Sequence, residues 1–237
     1  MSLNFYQDRP HSCSYLTDRL ARNIYPDPLR PASNALYSQL IQYGFRRSGE
    51  HIYRPHCPAC NACVPVRIDV QHFIANRSQR RCLRRNQDID ISIKPAEFDE
   101  THYALYQRYL AYRHAGGGMD NPKKETYLQF LTSSWSDTAF IEFRREHQLV
   151  AIAVTDFVSD AASAFYTFFD PQLEKRSLGT FAILKQLELA RQQNLSWLYL
   201  GYWIGDSAKM RYKSQFSALQ QFDGQWRPFD KKVLKNQ

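Results

Sequence analysis

No stretch of this 237-residue chain approaches the roughly 20 consecutive apolar residues that a bilayer-spanning helix needs. The first residues, Met1 to Arg9, lack the apolar core of a secretory signal. Together these absences set the expectation of a cytoplasmic protein with no membrane partner. There is no internal repeat and no low-complexity tract, which argues against a solenoid or an array. Cysteines are few and odd in number, five in all. In a reducing compartment they are read as free, catalytic or metal-linked rather than disulfide-paired.

What is present is basic and aromatic. Thirty-one Lys and Arg give a formal charge of +8, and 14% of residues are Phe, Trp or Tyr. That balance points to a polyanionic partner and supplies stacking surfaces. At this length the chain holds one large domain or two modest ones.

Hydrophobic periodicity lays out the elements. A capped helix is expected from Ser33 or Asn34 to Gly44, a hairpin over 45–53 turning at Ser48 and Gly49, and a strand over 64–68. Only Ser12 to Leu16 looks structured within residues 1–34. A strand over 89–93 stops at Pro95, where the composition changes, and this break divides the chain into 1–95 and 96–237. Beyond it the pattern predicts helices over 100–113 and 124–131, separated by a glycine-rich break at 114–119 where His114 is a candidate base. In the first of these helices Tyr103, Leu105, Tyr106, Tyr109, Leu110 and Tyr112 form the apolar side. Strands are expected over 138–143, 149–155, 164–169 and 197–200, with a helix carrying Phe181, Leu184, Leu187 and Ala190 before the last.

Four clusters carry chemistry. Cys57, Cys60 and Cys63 stand at C-x-x-C-x-x-C spacing, with Cys13 upstream as the natural fourth ligand. No second C-x-x-C accompanies them, so zinc, an iron–sulfur cluster and a metal-free turn of reduced thiols all stay open. Arg77, Arg80, Arg81, Arg84 and Arg85 repeat at helical spacing with no carboxylate among them, a stripe suited to phosphates. Arg176, Ser177 and Gly179 form a turn before a helix, where backbone N–H groups attract anions. Tyr202, Trp203 and Tyr212 are candidate platforms for a nucleic-acid base, with Lys209, Arg211 and Lys213 beside them for phosphate.

The ordered strings Gly44 to Gly49, Tyr53 to Pro55, Cys57 to Cys63, Phe73 to Arg81, Tyr166 to Pro171, Ser177 to Gly179, Tyr199 to Ile204 and Lys209 to Lys213 carry a resemblance. The chain resembles the arginyl-tRNA–protein transferase family over most of its length, from His11 to about Trp226. It is most similar to the short bacterial branch, the aspartate/glutamate leucyltransferases. The resemblance implies an α+β fold, with a small N-terminal cysteine-bearing domain followed by a GNAT-like mixed-sheet domain. It implies transfer of leucine from leucyl-tRNA to proteins with N-terminal Asp or Glu, marking them for degradation by the N-end rule.

An aminoacyl ester is already activated, so transfer is expected to need no cofactor. Arg77, Arg80, Arg81, Lys209 and Lys213 are the candidate receptors for the acidic residue, and Tyr166 or Asp170 the candidate base. Competing readings are the sister arginyl transfer, an acetyl-coenzyme A transferase suggested by Arg176 and Gly179, and a zinc- or cluster-stabilised RNA-binding module.

Overall fold

A computed structural model of the protein describes residues 3–113 and 122–230. Four short strands open the chain: β1 (Phe5–Gln7), β2 (His11–Ser12), β3 (Leu20–Ala21) and β4 (Asn23–Pro26). Strand content in residues 1–34 is thus wider than the sequence pattern suggested, because β1, β2 and β3 are largely exposed and carry no buried face for periodicity to mark. Helix α1 (Asn34–Leu40) starts where the Ser33 hydroxyl accepts the Leu36 N–H, and it runs through a 3-10 turn to Gly44. The hairpin β5 (Arg46–Ser48) and β6 (His51–Pro55) follows, then β7 (Val64–Asp69).

Helix α2 (Arg77–Arg85) is fixed at its start by a capping box: the Asn76 side chain accepts the Gln79 N–H and the Gln79 side chain accepts the Asn76 N–H. Next come β8 (Asp90–Pro95), α3 (Glu100–Arg113), α4 (Lys124–Leu131), β9 (Asp137–Arg145), β10 (Gln148–Val158) and β11 (Ala161–Phe169). A 3-10 turn at Pro171–Arg176 leads into α5 (Leu178–Gln192) and β12 (Trp197–Trp203). A second 3-10 turn, Ala208–Gln215, precedes β13 (Leu219–Phe222) and β14 (Trp226–Pro228). The expected break at 114–119, with His114, lies outside the described residues. Tyr112 departs from the expected apolar side of α3 and is 53% exposed.

The architecture is mixed α/β, organised on one eight-stranded mixed sheet of order β14-β13-β7-β12-β11-β10-β9-β8. A smaller sheet, β1-β4-β6-β5, stands beside it. β7 and β8 precede residue 95 in sequence yet pair with strands that follow it. Every pairing in the large sheet is antiparallel except β11 with β12, which the α5 crossover makes parallel.

α5 and α2 cover one region of the sheet in a core containing Val66, Ile68, Phe143, Phe181, Leu184 and Leu198. α3 and α4 pack with Phe140, Ile152, Val154 and Phe168 in a second core. A third joins α1 and the β5–β6 hairpin to Val158, Ala161 and Tyr199.

The parallel pair positions the site. It holds for three positions only, Ala161 with Trp197 through Ser163 with Tyr199, although both strands run on. Each carries an extra residue just beyond. Phe165 falls in the register shift of β11 against β10, and Leu200 in that of β12 against β7. Bulges of this kind bend a strand and re-aim its side chains. Here they lie where two neighbouring strands stop pairing.

Candidate active site

A cavity of about 980 Å³ opens where β11 and β12 stop pairing, and both bulged residues, Phe165 and Leu200, line it. The β5–β6 hairpin contributes Arg46, Arg47 and Tyr53. Tyr106 and Phe130 come from α3 and α4, and Met210 and Lys213 from the second 3-10 turn. Its lining combines cations with aromatic and aliphatic side chains. Among the described residues that line it there is no Asp or Glu.

Arg46 and Arg47 are adjacent on a strand, so their side chains leave on opposite faces. Arg47 is fully buried and donates to both oxygens of Asp156, at 2.9 and 2.6 Å, and to the Leu131 carbonyl at 2.8 Å. Its guanidinium also stacks 4.0 Å from the Phe165 ring centre. This pair ties the hairpin to β10. Arg46 is held differently, by one bond of 3.3 Å from Nη2 to the Ala164 carbonyl. Gly201, at φ 76°, takes a left-handed conformation that favours glycine, and a Cβ there would meet the guanidinium at an ordinary contact distance of 3.5 Å.

Lys213 is buried in the same wall and donates to the Tyr202 carbonyl at 2.6 Å. Burial first, and the neighbouring charge of Arg46 second, lower its ammonium to about 7. Tyr166 lines the cavity too, and burial pushes its phenol well up, so it is a hydrogen-bond donor rather than a base. Tyr202, also buried, donates its hydroxyl to the Gly44 carbonyl at 2.9 Å, locking the hairpin against β12.

Several residues singled out in the sequence stand elsewhere. Asp170 caps the 3-10 turn by accepting the Gln172 N–H at 3.0 Å and does not line the cavity, which removes it as the base. Arg176 is engaged by both oxygens of Asp88, at 2.7 and 2.9 Å, and by the Arg85 carbonyl. Hydrogen bonds from Arg176 and Arg145 hold the Asp88 carboxyl well below the usual carboxylate range.

The Cys82 thiol and the Asn86 amide reach the Arg176 carbonyl, so α2 packs over the turn expected to hold phosphate. Ser177 takes the left-handed conformation and makes no side-chain cap, and Gly179 has room for a methyl 3.5 Å from Phe169. Trp203 is buried in the main core against Phe229, because alternation along β12 turns it away from the face of Tyr202. It is too deep to stack on a base. Lys209 and Tyr212 are exposed on the second 3-10 turn.

The arginine stripe forms as expected. Arg77, Arg80, Arg81, Arg84 and Arg85 are all exposed on α2, while Gln79 and Cys82 face inward. The Asn76 side chain at the start of α2 donates to the Gln215 carbonyl, which joins this helix to the turn carrying Lys213.

A second, smaller cavity of about 160 Å³ is lined by Cys13, Cys57, Cys60 and Cys63 together with Tyr15, Tyr53 and Tyr202. The Cys63 thiol is pushed up to about 12 by burial and then by the other three cysteines. Among the described residues no group of three or more His, Cys, Asp or Glu stands so as to hold a metal ion.

The residues that sequence reasoning missed are Arg46, Arg47, Tyr53, Phe165 and Leu200. A usable signal existed for the arginines: two adjacent cations inside a short hairpin strand flanked by Phe45 and Ile52.

Comparison with known proteins follows the same outline. The family described as "Arginine-tRNA-protein transferase, N terminus" matches residues 11–81, and "Arginine-tRNA-protein transferase, C terminus" matches residues 101–223. The chain is 50% identical over 229 residues to an aspartate/glutamate leucyltransferase of Thiobacillus denitrificans, covering 96% of this chain and 95% of that one. It is 49% identical over 219 residues to the protein of that name from Hahella chejuensis, covering 92% and 94%. Among solved structures it is similar to FemX, with a TM-score of 0.49, 9% identity, and coverage of 80% of this chain and 65% of that one.

Proposed function

The chain belongs to the arginine-tRNA-protein transferase family, and from that premise we propose that the cavity between β11 and β12 transfers leucine from leucyl-tRNA to the α-amino group of proteins beginning with Asp or Glu. Such transfer marks the acceptor for degradation by the N-end rule. One observation carries the choice of leucine over arginine. The described wall of the cavity pairs an apolar surface, Tyr106, Phe130, Phe165 and Met210, with cations and offers no carboxylate. A leucyl side chain is accommodated there by apolar contact. An arginyl side chain would meet Arg46, Lys123 and Lys213 with no anion to pair it.

The ester of an aminoacyl-tRNA needs no further activation, so holding both substrates in reach supplies most of the rate. Near neutrality a fraction of Lys213 is free amine, suited to take a proton from the acceptor's α-ammonium, itself near pH 8. The amine nitrogen then attacks the ester carbon. A C–N bond forms and the C–O bond to the ribose breaks; Lys213, having released the first proton to water, takes the second proton from the attacking nitrogen and delivers it to the departing ribose oxygen. Tyr166, un-ionised, donates its O–H to the carbonyl oxygen as negative charge builds there.

The arginines of α2, together with Lys209, take the tRNA phosphates, and the Asn76–Gln215 contact leads from them toward the cavity. The α5 crossover between the parallel strands β11 and β12, behind an antiparallel β9–β10–β11 meander, supports a GNAT-like reading of the catalytic part. The division at residue 95 is kept as one of roles, with cysteines and arginine face before it and the apolar wall after it.

A zinc ion or iron–sulfur cluster at Cys13, Cys57, Cys60 and Cys63 is part of this reading. What supports it is that all four thiols line one cavity. Its role is to staple the turn; the transfer does not run through it. We place the reaction in the cytoplasm, where charged tRNA is available.

The test is to incubate the purified protein with a peptide beginning with Asp and with labelled leucyl-tRNA or arginyl-tRNA in parallel. Leucine label in the peptide is expected. Arginine label would move the assignment to the sister activity, and no label from either would remove it.

A further inference from the structure

Arg46 is 7% exposed, yet among the described residues no carboxylate lies within ion-pair distance of it. Its neighbour Arg47, equally deep in the protein, has both oxygens of Asp156. The Nη1 of Arg46, like that of Arg47, has no acceptor among the described residues, and the single bond from Nη2 goes to a carbonyl. A buried charge left in this condition is costly and is retained where something else supplies the counter-charge. The arrangement is built. Gly201, in a left-handed conformation, lies against the guanidinium, and the strands that flank it are parted by bulges.

We infer that Arg46 is the specificity-determining receptor for the side-chain carboxylate of the acceptor's first residue. This rests on the transfer reading given above and replaces the exposed cations as receptors. Arg77, Arg80 and Arg81 lie in water, where an ion pair discriminates weakly and fades with salt. Lys213 already has the Tyr202 carbonyl and loses its proton near neutrality, whereas an arginine keeps its charge.

The other cations facing this point are Arg47, which is neutralised by Asp156, and Lys123. The remaining ionisable groups among the described residues lining the cavity are the phenols of Tyr15, Tyr53, Tyr106, Tyr166 and Tyr202, and the phenols of Tyr37 and Tyr199 also feel the Arg46 charge. An acceptor beginning with Asn or Gln has the right shape and leaves Arg46 without its anion. That is the condition under which a polar site rejects a near-isostere strongly.

The experiment compares kcat/KM for two peptides differing only in Asp or Asn at the first position, using the intact protein and leucyl-tRNA. The wild type is expected to favour Asp by about a hundredfold or more. Arg46→Gln is expected to bring the ratio close to one through the acceptor KM, with leucyl-tRNA binding unchanged. Arg46→Lys should recover part of the ratio. An undiminished ratio in Arg46→Gln overturns the assignment, whereas a wild type that transfers leucine to neither peptide overturns the transfer reading instead.

A second measurement stands apart from the folding of the glutamine variant. In the wild type, the Arg46 Nε–H resonance, identified by its absence from Arg46→Lys, should move on adding the Asp peptide and stay in place with the Asn peptide. Equal response to both peptides overturns the assignment.

Discussion

The arginine face of α2 and the cations of the cavity have the same charge and opposite circumstances. On α2, five arginines lie in water within nine residues of sequence. In the cavity, Arg46 and Lys213 are buried, 167 positions apart in the numbering, and held by single bonds to backbone carbonyls. Exposed charge acts at a distance, tolerates imprecise geometry and is weakened by salt, as the binding of a phosphate backbone requires. Buried charge acts at contact, resists screening and penalises a wrong partner, as selecting one side chain requires. The protein thus separates holding a tRNA from recognising an acceptor.

The comparison can be broken most directly at Lys213. Lys213→Met should lower kcat by roughly a hundredfold or more near neutral pH, the usual scale of a lost proton acceptor, while leucyl-tRNA still binds. Single-turnover kinetics would show this, and an unchanged kcat would return Lys213 to a packing role. The same variant carries a stability test with a definite sign. The folded ammonium titrates near 7, against 10.5 for an unhindered lysine, so between these values the unfolded chain holds a proton that the folded chain lacks. Wild-type stability therefore gains from this site as pH rises through that window, and the burial penalty is complete below about 7. Urea unfolding should find Lys213→Met more stable than wild type by up to a few kcal/mol at or below pH 7, and the difference should shrink toward pH 10.5.

Arg47→Met should have the next largest effect, of another kind. It leaves Asp156 buried without its partner, and a loss of about 3–5 kcal/mol in urea unfolding is expected. Arg46→Gln should cost far less, because no anion is abandoned. Equal losses for the two would erase the distinction between the paired and the unpaired arginine.

A carboxylate placed on the apolar wall tests the donor side. Met210→Glu should narrow the preference for leucyl- over arginyl-tRNA by about tenfold, measured as the ratio of transfer rates, by supplying the anion the wall lacks.

Single changes on α2 should be milder. Arg81→Gln or Arg84→Gln should raise the KM for leucyl-tRNA a few-fold and reduce the salt slope of binding by about one, leaving the acceptor KM alone. Gly179→Ala should be the smallest, with rate and stability close to wild type, since the added methyl meets only Phe169 at ordinary contact distance. A large loss there would restore the turn before α5 as a phosphate site.

Much of the scaffold was legible because it is local. The cap at Ser33, the 3.6-residue repeat from Phe181 to Ala190 and the alternating strands each declare themselves within a dozen residues. The stripe on α2 was legible for the same reason. The four cysteines, close in sequence apart from Cys13, were expected in one place and line one cavity.

The cavity was not legible, because tertiary contact creates it. Arg46 meets Ala164 across 118 positions, and the bulges at Phe165 and Leu200 depend on which strands pair. Gly201 lies inside β12 rather than just after a strand, and the group beside it is the Arg46 side chain from another sheet. Arg176 was misread because its partner, Asp88, sits 88 residues earlier and nothing near the turn announces it. Trp203 was misread because a run of aromatics looks like a platform until alternation turns every second one into the core.

The location of the acceptor is the central claim, and a photo-crosslink tests it most directly. A peptide beginning with Asp and carrying a diazirine side chain at its second position is irradiated with the protein and leucyl-tRNA, and the crosslinked residues are mapped by mass spectrometry. Crosslinks are expected on the rim formed by Ser48, Phe165, Tyr166 and the Leu200–Tyr202 segment. Crosslinks concentrated on α2 or around the four cysteines would contradict this placement.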